Sequence, residues 1–138
     1  MKVSFNELES LSRKAFIGMG FSDGQAVDAA DMLCWMESLG FEGLKALSDA
    51  LAQYSLEHPH APAERLYQDT DVTVLDAHNA SVLACSHLPL ELTFAKARAR
   101  GLSSLKIRRC RQRQLIMGYL ARLANRGMNV TAFWRNSQ

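Results

Sequence analysis

Residues 101–137, GLSSLKIRRCRQRQLIMGYLARLANRGMNVTAFWRNS, read as strand, loop, helix, glycine and strand. Ser103–Ile107 is a strand-like run. Arg108, Arg109, Arg111 and Arg113 fall in the loop behind it. A helix-like run follows, and Gly127 leads into a second strand-like run, Asn129–Trp134. The arginine loop therefore sits at the carboxyl end of a strand and just before a helix, where open α/β sheets hold their ligands. Two readings of it stay open: a cradle for an anion, or a solvated edge.

Upstream, the spacing predicts a second unit of the same kind. Asp71–Asp76 (DVTVLD) is a strand rich in β-branched residues. His78, Asn79 and Ala80 form a turn. His87–Ala99 reads as a helix, with Pro89 tolerated in its first turn. Arg98, Arg100 and Gly101 close it, basic charge suiting the carbonyl end of the helix. Strand, helix, strand, helix, strand implies mainly parallel pairing through crossovers.

The first 57 residues read as helical. Ser4 with Glu7 makes a capping box for a helix over Phe5–Met19, with Phe5, Leu8, Ser12, Ala15 and Phe16 along one face. Ser22 with Gln25 repeats the device for Gly24–Leu39, whose face is Ala26, Ala29, Ala30, Leu33 and Met36. Leu44, Leu47, Leu51 and Tyr54 mark a third helix over Leu44–Tyr54. The expected fold is thus α/β in a single domain over 1–138. A three-helix segment (1–57) packs on a small βαβαβ layer (70–138) through a proline-containing linker (58–69).

The 138 residues suffice for one real core. A composition 48% hydrophobic and 22% charged is that of an ordinary water-soluble domain. No apolar run reaches membrane-spanning length, and MKVSFNELES lacks the apolar region of a secretory signal. Cys34, Cys85 and Cys110 are an odd count without CxxC spacing, which speaks for reduced thiols in the cytoplasm. Residues 1–76 carry 13 acidic and 5 basic side chains, residues 77–138 one acidic and 11 basic. Either the two halves neutralise each other, within one chain or across a dimer, or the second half presents a basic face to a polyanion. The first is favoured, since neighbouring opposite charges screen each other.

Recognisable chemical motifs are few. There is no phosphate loop, dinucleotide fingerprint or nucleophile elbow. His58 and His60 flank Pro59 without a third ligand nearby, so no metal site is expected. His78 reads as a turn residue and His87 as a capping or surface group. Cys110 lies among arginines that favour a thiolate. No base or oxyanion site accompanies it, and it reads as an incidental thiol. Met117, Tyr119, Phe133 and Trp134 read as core, because a stacking platform would need aromatics among the arginines.

The order of the blocks KVSFNELESLSRKAF, AVDAADML, ESLGFEGL, VTVLDAHNA, FAKARARGLSSLKIR and GYLARLANRGMNVTAFWRNS resembles the N-terminal part of the type 2 malate/L-lactate dehydrogenase family. That family comprises NAD(P)-dependent enzymes acting on 2-hydroxy and 2-oxo acids. The resemblance implies Gly43, Arg108, Asn136 and Ser137 as retained positions. The departures are at the chemistry. Glu42 stands where the family has a histidine, and Ala46 where it has an arginine. Arg111 and Gln112 stand at its Asn-His pair. An imidazole relays protons near neutral pH; Gln112 cannot. The family's long middle region, which supplies most of the cofactor site, has no counterpart before Gln138.

These departures point to a short, diverged bacterial relative of unknown function. The expected role is non-catalytic binding, regulation or assembly, as a homodimer without NAD(P). A site would lie between the 41–46 turn and the 108–113 loop. Its anion-binding candidates are Arg108, Arg109, Arg111, Arg113 and Lys45. One alternative is an anion- or nucleic-acid-binding protein using the arginine loop. The other is a residual oxidoreductase, with Glu42 as acid/base, Arg111 holding a carboxylate and a larger dehydrogenase-like subunit supplying the cofactor; Glu42 and Gln112 stand at the family's histidine positions.

Overall fold

The computed structural model describes residues 2–52 and 63–135. The first helix, α1, spans Phe5–Gly18 and the second, α2, Asp23–Ser38. Both begin with the expected reciprocal caps. Ser4 Oγ accepts from the Glu7 amide, and the Glu7 carboxylate accepts from the Ser4 amide. Ser22 and Gln25 do the same, so each helix start satisfies two otherwise orphaned N–H groups. A third helix, α3, runs Gly43–Ala52; Tyr54, His58 and His60 lie outside the described residues.

Strand β1 (Glu64–Gln68) and strand β2 (Val72–Asp76) form an antiparallel hairpin. Its turn is built by Asp69, whose carboxylate accepts from the amides of Asp71 (2.8 Å) and Val72 (2.6 Å). A short helix α4 (Val82–Cys85) and a longer α5 (His87–Arg100) then carry the chain to strand β3 (Ser104–Arg108), which pairs parallel with β2 from Val72–Ser104 to Asp76–Arg108. Beyond β3 come a 3-10 turn, Arg113–Ile116, and helix α6, Met117–Asn125. The sheet order is β1-β2-β3.

Two expectations about the sheet need correction. The layer is mixed, not mainly parallel βαβαβ. Its third strand is β1, which falls inside the stretch read as linker 58–69. All five β1 residues are exposed, so the strand has no buried face to impose a period-two pattern. Conversely, Asn129–Trp134 is not a strand among the described residues. Phe133 is 92% exposed there, so its β-branched and aromatic composition is not matched by burial.

The core is a single cluster joining both halves of the chain. Its centre is α2, which contacts α1, α3, α4, α6 and the 3-10 turn. The first three helices therefore pack chiefly on the helical elements of the second half and not on a β-layer. Met32 and Cys34 are buried beside the expected Ala26, Ala29, Ala30, Leu33 and Met36, as befits a helix covered on several sides. Fully burying Phe16, Met32, Leu33 and Leu115 stabilises by about 1.5–3 kcal/mol each. Glycines permit two of the closest helix approaches. A Cβ on Gly43 would meet the Leu33 carbonyl at 2.8 Å, and one on Gly118 would overlap the Met32 sulfur. The acidic and basic halves also meet here: Asp28 pairs with His87, and Asp31 with Arg122. No helix among the described residues is long and apolar enough to cross a membrane.

Candidate functional site

The arginine loop leaves the end of β3 alongside the segment leaving β2, and backbone pairing continues beyond the strands. Ala77 donates to the Arg108 carbonyl (2.9 Å), Asn79 to that of Arg109 (2.8 Å), and Val82 to that of Arg111 (3.1 Å). The Arg111 amide returns a bond to Ala80 (3.0 Å). His78, Asn79, Arg109 and Gln112 all have positive φ, between 47 and 66°. Such left-handed conformations in non-glycine residues persist only where the surroundings fix them; here two neighbouring backbones fix each other.

Asp76 is the electrostatic centre of this region. It is only 5% exposed. Arg109 Nε donates to both its carboxylate oxygens, at 2.8 and 2.9 Å, and the His78 amide donates to Oδ1 at 2.9 Å. The guanidinium and that amide hold the Asp76 carboxyl below its usual range, and Asp76 in turn raises the pKa of Arg109. Arg109 also reaches His78 Nδ1 at 2.9 Å, and His78 Nε2 lies 3.2 Å from Glu64 on β1. Hence His78 is more than a turn residue: it links β1 to the loop.

The four arginines divide into two pairs. Arg109 is committed to Asp76, and Arg113 donates to the carbonyls of Cys110 and Arg135. Arg108 and Arg111 are exposed, and among the described residues their side chains make no hydrogen bond or ion pair. Glu42, at φ 48°, is exposed and lies 3.8 Å from Lys45. Its carbonyl opens α3 by accepting from Ala46. Gly43 owes its place to the close approach of α3 to α2. Because α3 touches the 3-10 turn, Glu42 and Gln112 stand on adjoining elements. Asn136 and Ser137 lie outside the described residues.

The sequence reading missed a second cluster. A cavity of about 290 Å³ opens between α5 and α6, lined among others by His87, Glu91, Tyr119, Arg122 and Arg126. His87 Nδ1 is 2.8 Å from Asp28, and Arg126 bonds Glu91 at 2.6 Å while lying 3.7 Å over the Phe94 ring. The Tyr119 hydroxyl is buried with no partner among the described residues. Burial, and next the charge of Asp28, push that phenol's pKa up. Each cation here is neutralised by a carboxylate, so the cleft has no excess positive charge for an anion. The i, i+4 pair His87–Glu91 and the i, i+3, i+7 set Tyr119–Arg122–Arg126 were visible signals; their partners on α2 were not. Among the described residues no group of three or more His, Cys, Asp or Glu side chains is placed to hold a metal ion.

Comparison with solved structures identifies the architecture. A malate dehydrogenase from Entamoeba histolytica superposes with TM-score 0.65 at 15% identity, over 78% of this chain and 31% of that one. A putative malate/lactate dehydrogenase from E. coli gives 0.63 at 18%, over 88% and 36%. A delta1-piperideine-2-carboxylate reductase from Pseudomonas syringae pvar. tomato gives 0.62 at 21%, over 78% and 34%. The chain thus shares the fold of malate/lactate dehydrogenase-type proteins while spanning only about a third of their length. No curated protein matches its sequence. Residues 3–100 match the family described as a protein of unknown function, DUF3726, and the chain belongs to that family.

Proposed function

We propose that the chain is a relative of the dehydrogenases of 2-hydroxy acids that serves as a binding or assembly module and does not itself transfer hydride. The observation that carries this reading is the division of labour in the arginine loop. Where the resembled family has its Asn-His pair, this chain has Arg111 and Gln112, while Arg109 is held by the Asp76 carboxylate and Arg113 by backbone carbonyls. The loop has positive charge to hold a ligand but no imidazole of its own to relay a proton, and the adjacent His78 is tied to Arg109 and Glu64. Glu42, at the other family histidine position, is exposed beside Lys45. The purified chain should leave NADH and NADPH unoxidised with any of a panel of 2-oxo acids. Turnover with one of them overturns the reading. If turnover appears only after a larger dehydrogenase-like chain is added, the protein is a subunit of an enzyme.

Assembly as a cytoplasmic homodimer belongs to this proposal. It is supported by the position of β3 at the edge of the sheet, without a further strand beside it among the described residues, and by exposed apolar side chains at Leu102 (72%) and Phe133 (92%). Sedimentation equilibrium should give a dimer; a monomer at all concentrations removes this part.

A second reading, anion or nucleic-acid binding, is favoured by the exposed side chains of Arg108 and Arg111, which make no hydrogen bond or ion pair among the described residues. Fluorescence anisotropy with a single-stranded oligonucleotide should then show binding that falls steeply with salt. The double substitution Arg108→Gln/Arg111→Gln should remove it. Absence of binding at low salt ends this reading.

A further inference from the structure

Two cysteines 25 residues apart in the chain meet beneath the arginine loop. Cys85 ends α4 and Cys110 follows β3, and their Sγ atoms are 3.8 Å apart. Their backbones are registered by the Val82–Arg111 and Arg111–Ala80 hydrogen bonds, so the approach is built into the fold and is not left to side-chain chance. A disulfide needs the sulfurs at about 2.05 Å, so the pair must close by less than the width of one atom.

We infer that Cys85 and Cys110 form a redox modification site at which a hydroperoxide closes an intrachain disulfide. The two thiols have different roles. The bond from Cys85, and after it the positive charge of Arg113, favour the thiolate at Cys110, against the cost of burial. In the contact between the two sulfurs either can donate, Cys110 Sγ also reaches the Arg111 carbonyl at 3.6 Å, and Cys85, bonded to Cys110 and buried, has its pKa raised. Cys110, whose own carbonyl holds the Arg113 guanidinium at 2.8 Å, is the nucleophile. Its thiolate attacks one peroxide oxygen, breaking the O–O bond; the sulfur is oxidised to sulfenic acid and hydroxide or alkoxide leaves. Cys85 sulfur then attacks the sulfenic sulfur, the S–O bond breaks, and the Cys85 proton leaves with the oxygen as water. Two thiols and one hydroperoxide give one disulfide, one water and one alcohol or second water. Cys110 is 4% and Cys85 8% exposed. Both belong to the buried core cluster, but the sequence neighbours of Cys110, Arg109 and Arg111, are exposed, so the pair lies one residue from the surface of the loop. Cys34, buried in α2, takes no part.

The product would tie α4 to the loop that carries Arg108 and Arg111. It is tested by exposing the folded protein to hydrogen peroxide, unfolding it, alkylating free thiols and mapping peptides by mass. The expected result is a Cys85–Cys110 linkage lighter by two hydrogens, with Cys34 alkylated, and full reversal by dithiothreitol. In Cys85→Ser the link should vanish, and a cyclic 1,3-dione should trap the Cys110 sulfenic acid. Three alkylated thiols after exposure, a link to Cys34, or only interchain links would overturn the inference. Should the serine variant not fold, the wild-type map decides by comparison with protein oxidised in urea. A link forming equally well in urea would mean that the fold does not direct it.

Discussion

Around α2 the chain is held by volume; around the loop after β3 it is held by charge and backbone pairing. The first region joins Phe16, Met32, Leu33 and Leu115, all at most 1% exposed, with glycines where helices touch. The second has one deeply buried carboxylate, Asp76, and a braided pair of loops from which Asn79, Arg109 and Arg111 are exposed. The difference teaches where the protein can change. Close packing fixes every atom of a core position. Backbone hydrogen bonds fix the course of a loop but leave outward side chains free to vary, and function is commonly placed there.

The sharpest way to break the comparison is Phe16→Ala. Removing a fully buried ring that packs on Phe21, at 5.1 Å between centroids, should cost about 3–5 kcal/mol. It should lower the urea midpoint without altering the slope. A loss below about 1 kcal/mol would mean that α1 is not part of the cooperative core. Gly43→Ala should cost about 1–3 kcal/mol, because the new methyl meets the Leu33 backbone carbonyl and forces α3 off α2. If the variant is as stable as the parent, the glycine at 43 marks something other than packing.

The loop should answer to pH where the helical core does not. Arg109, and then the His78 amide, lower the folded-state pKa of Asp76. A depressed carboxyl stabilises the fold above its unfolded value, near 3.9. That contribution is lost as pH falls through the lower folded value. Urea midpoints should therefore fall on acidification below about pH 4. Asp76→Asn should flatten this acid limb while lowering stability at neutral pH. An unchanged acid limb in the variant would remove Asp76 as its source. The smallest effect is expected at the cleft between α5 and α6. Tyr119→Phe deletes a buried hydroxyl without a partner among the described residues, so stability should change by less than about 1 kcal/mol, or rise. A loss of 2 kcal/mol or more (roughly the net value of more than one hydrogen bond) would show that the hydroxyl has a partner in solution.

Much of the helical architecture was readable from local chemistry. Capping boxes at Ser4 and Ser22 act over three residues, so the signal and the structure share one length scale. The strand at 72–76 and the helix at 87–100 were legible for the same reason: one carries β-branched residues, the other ends in Arg100 and a left-handed Gly101. The edges of the sheet were not legible. β1 is wholly exposed and needs no hydrophobic alternation, whereas Asn129–Trp134 has strand composition without a strand partner among the described residues. Pairing depends on what lies alongside, and a single segment does not encode its neighbour.

The same division applies to the chemistry. By itself the sequence determined that positive charge gathers at 108–113 and that Gln112 puts an amide, not an imidazole, among those arginines. Residue identity is enough for that, because an amide cannot act as a proton relay wherever it lies. Only the tertiary structure decided which charges are available. It turned Arg109 onto Asp76 and Arg113 onto two carbonyls, left Arg108 and Arg111 facing water, set Asp28 against His87, and brought Cys85 within 3.8 Å of Cys110. Each of those contacts joins residues on different elements, and their distance depends on how α2, α4 and the end of β3 pack together, a quantity no local pattern records.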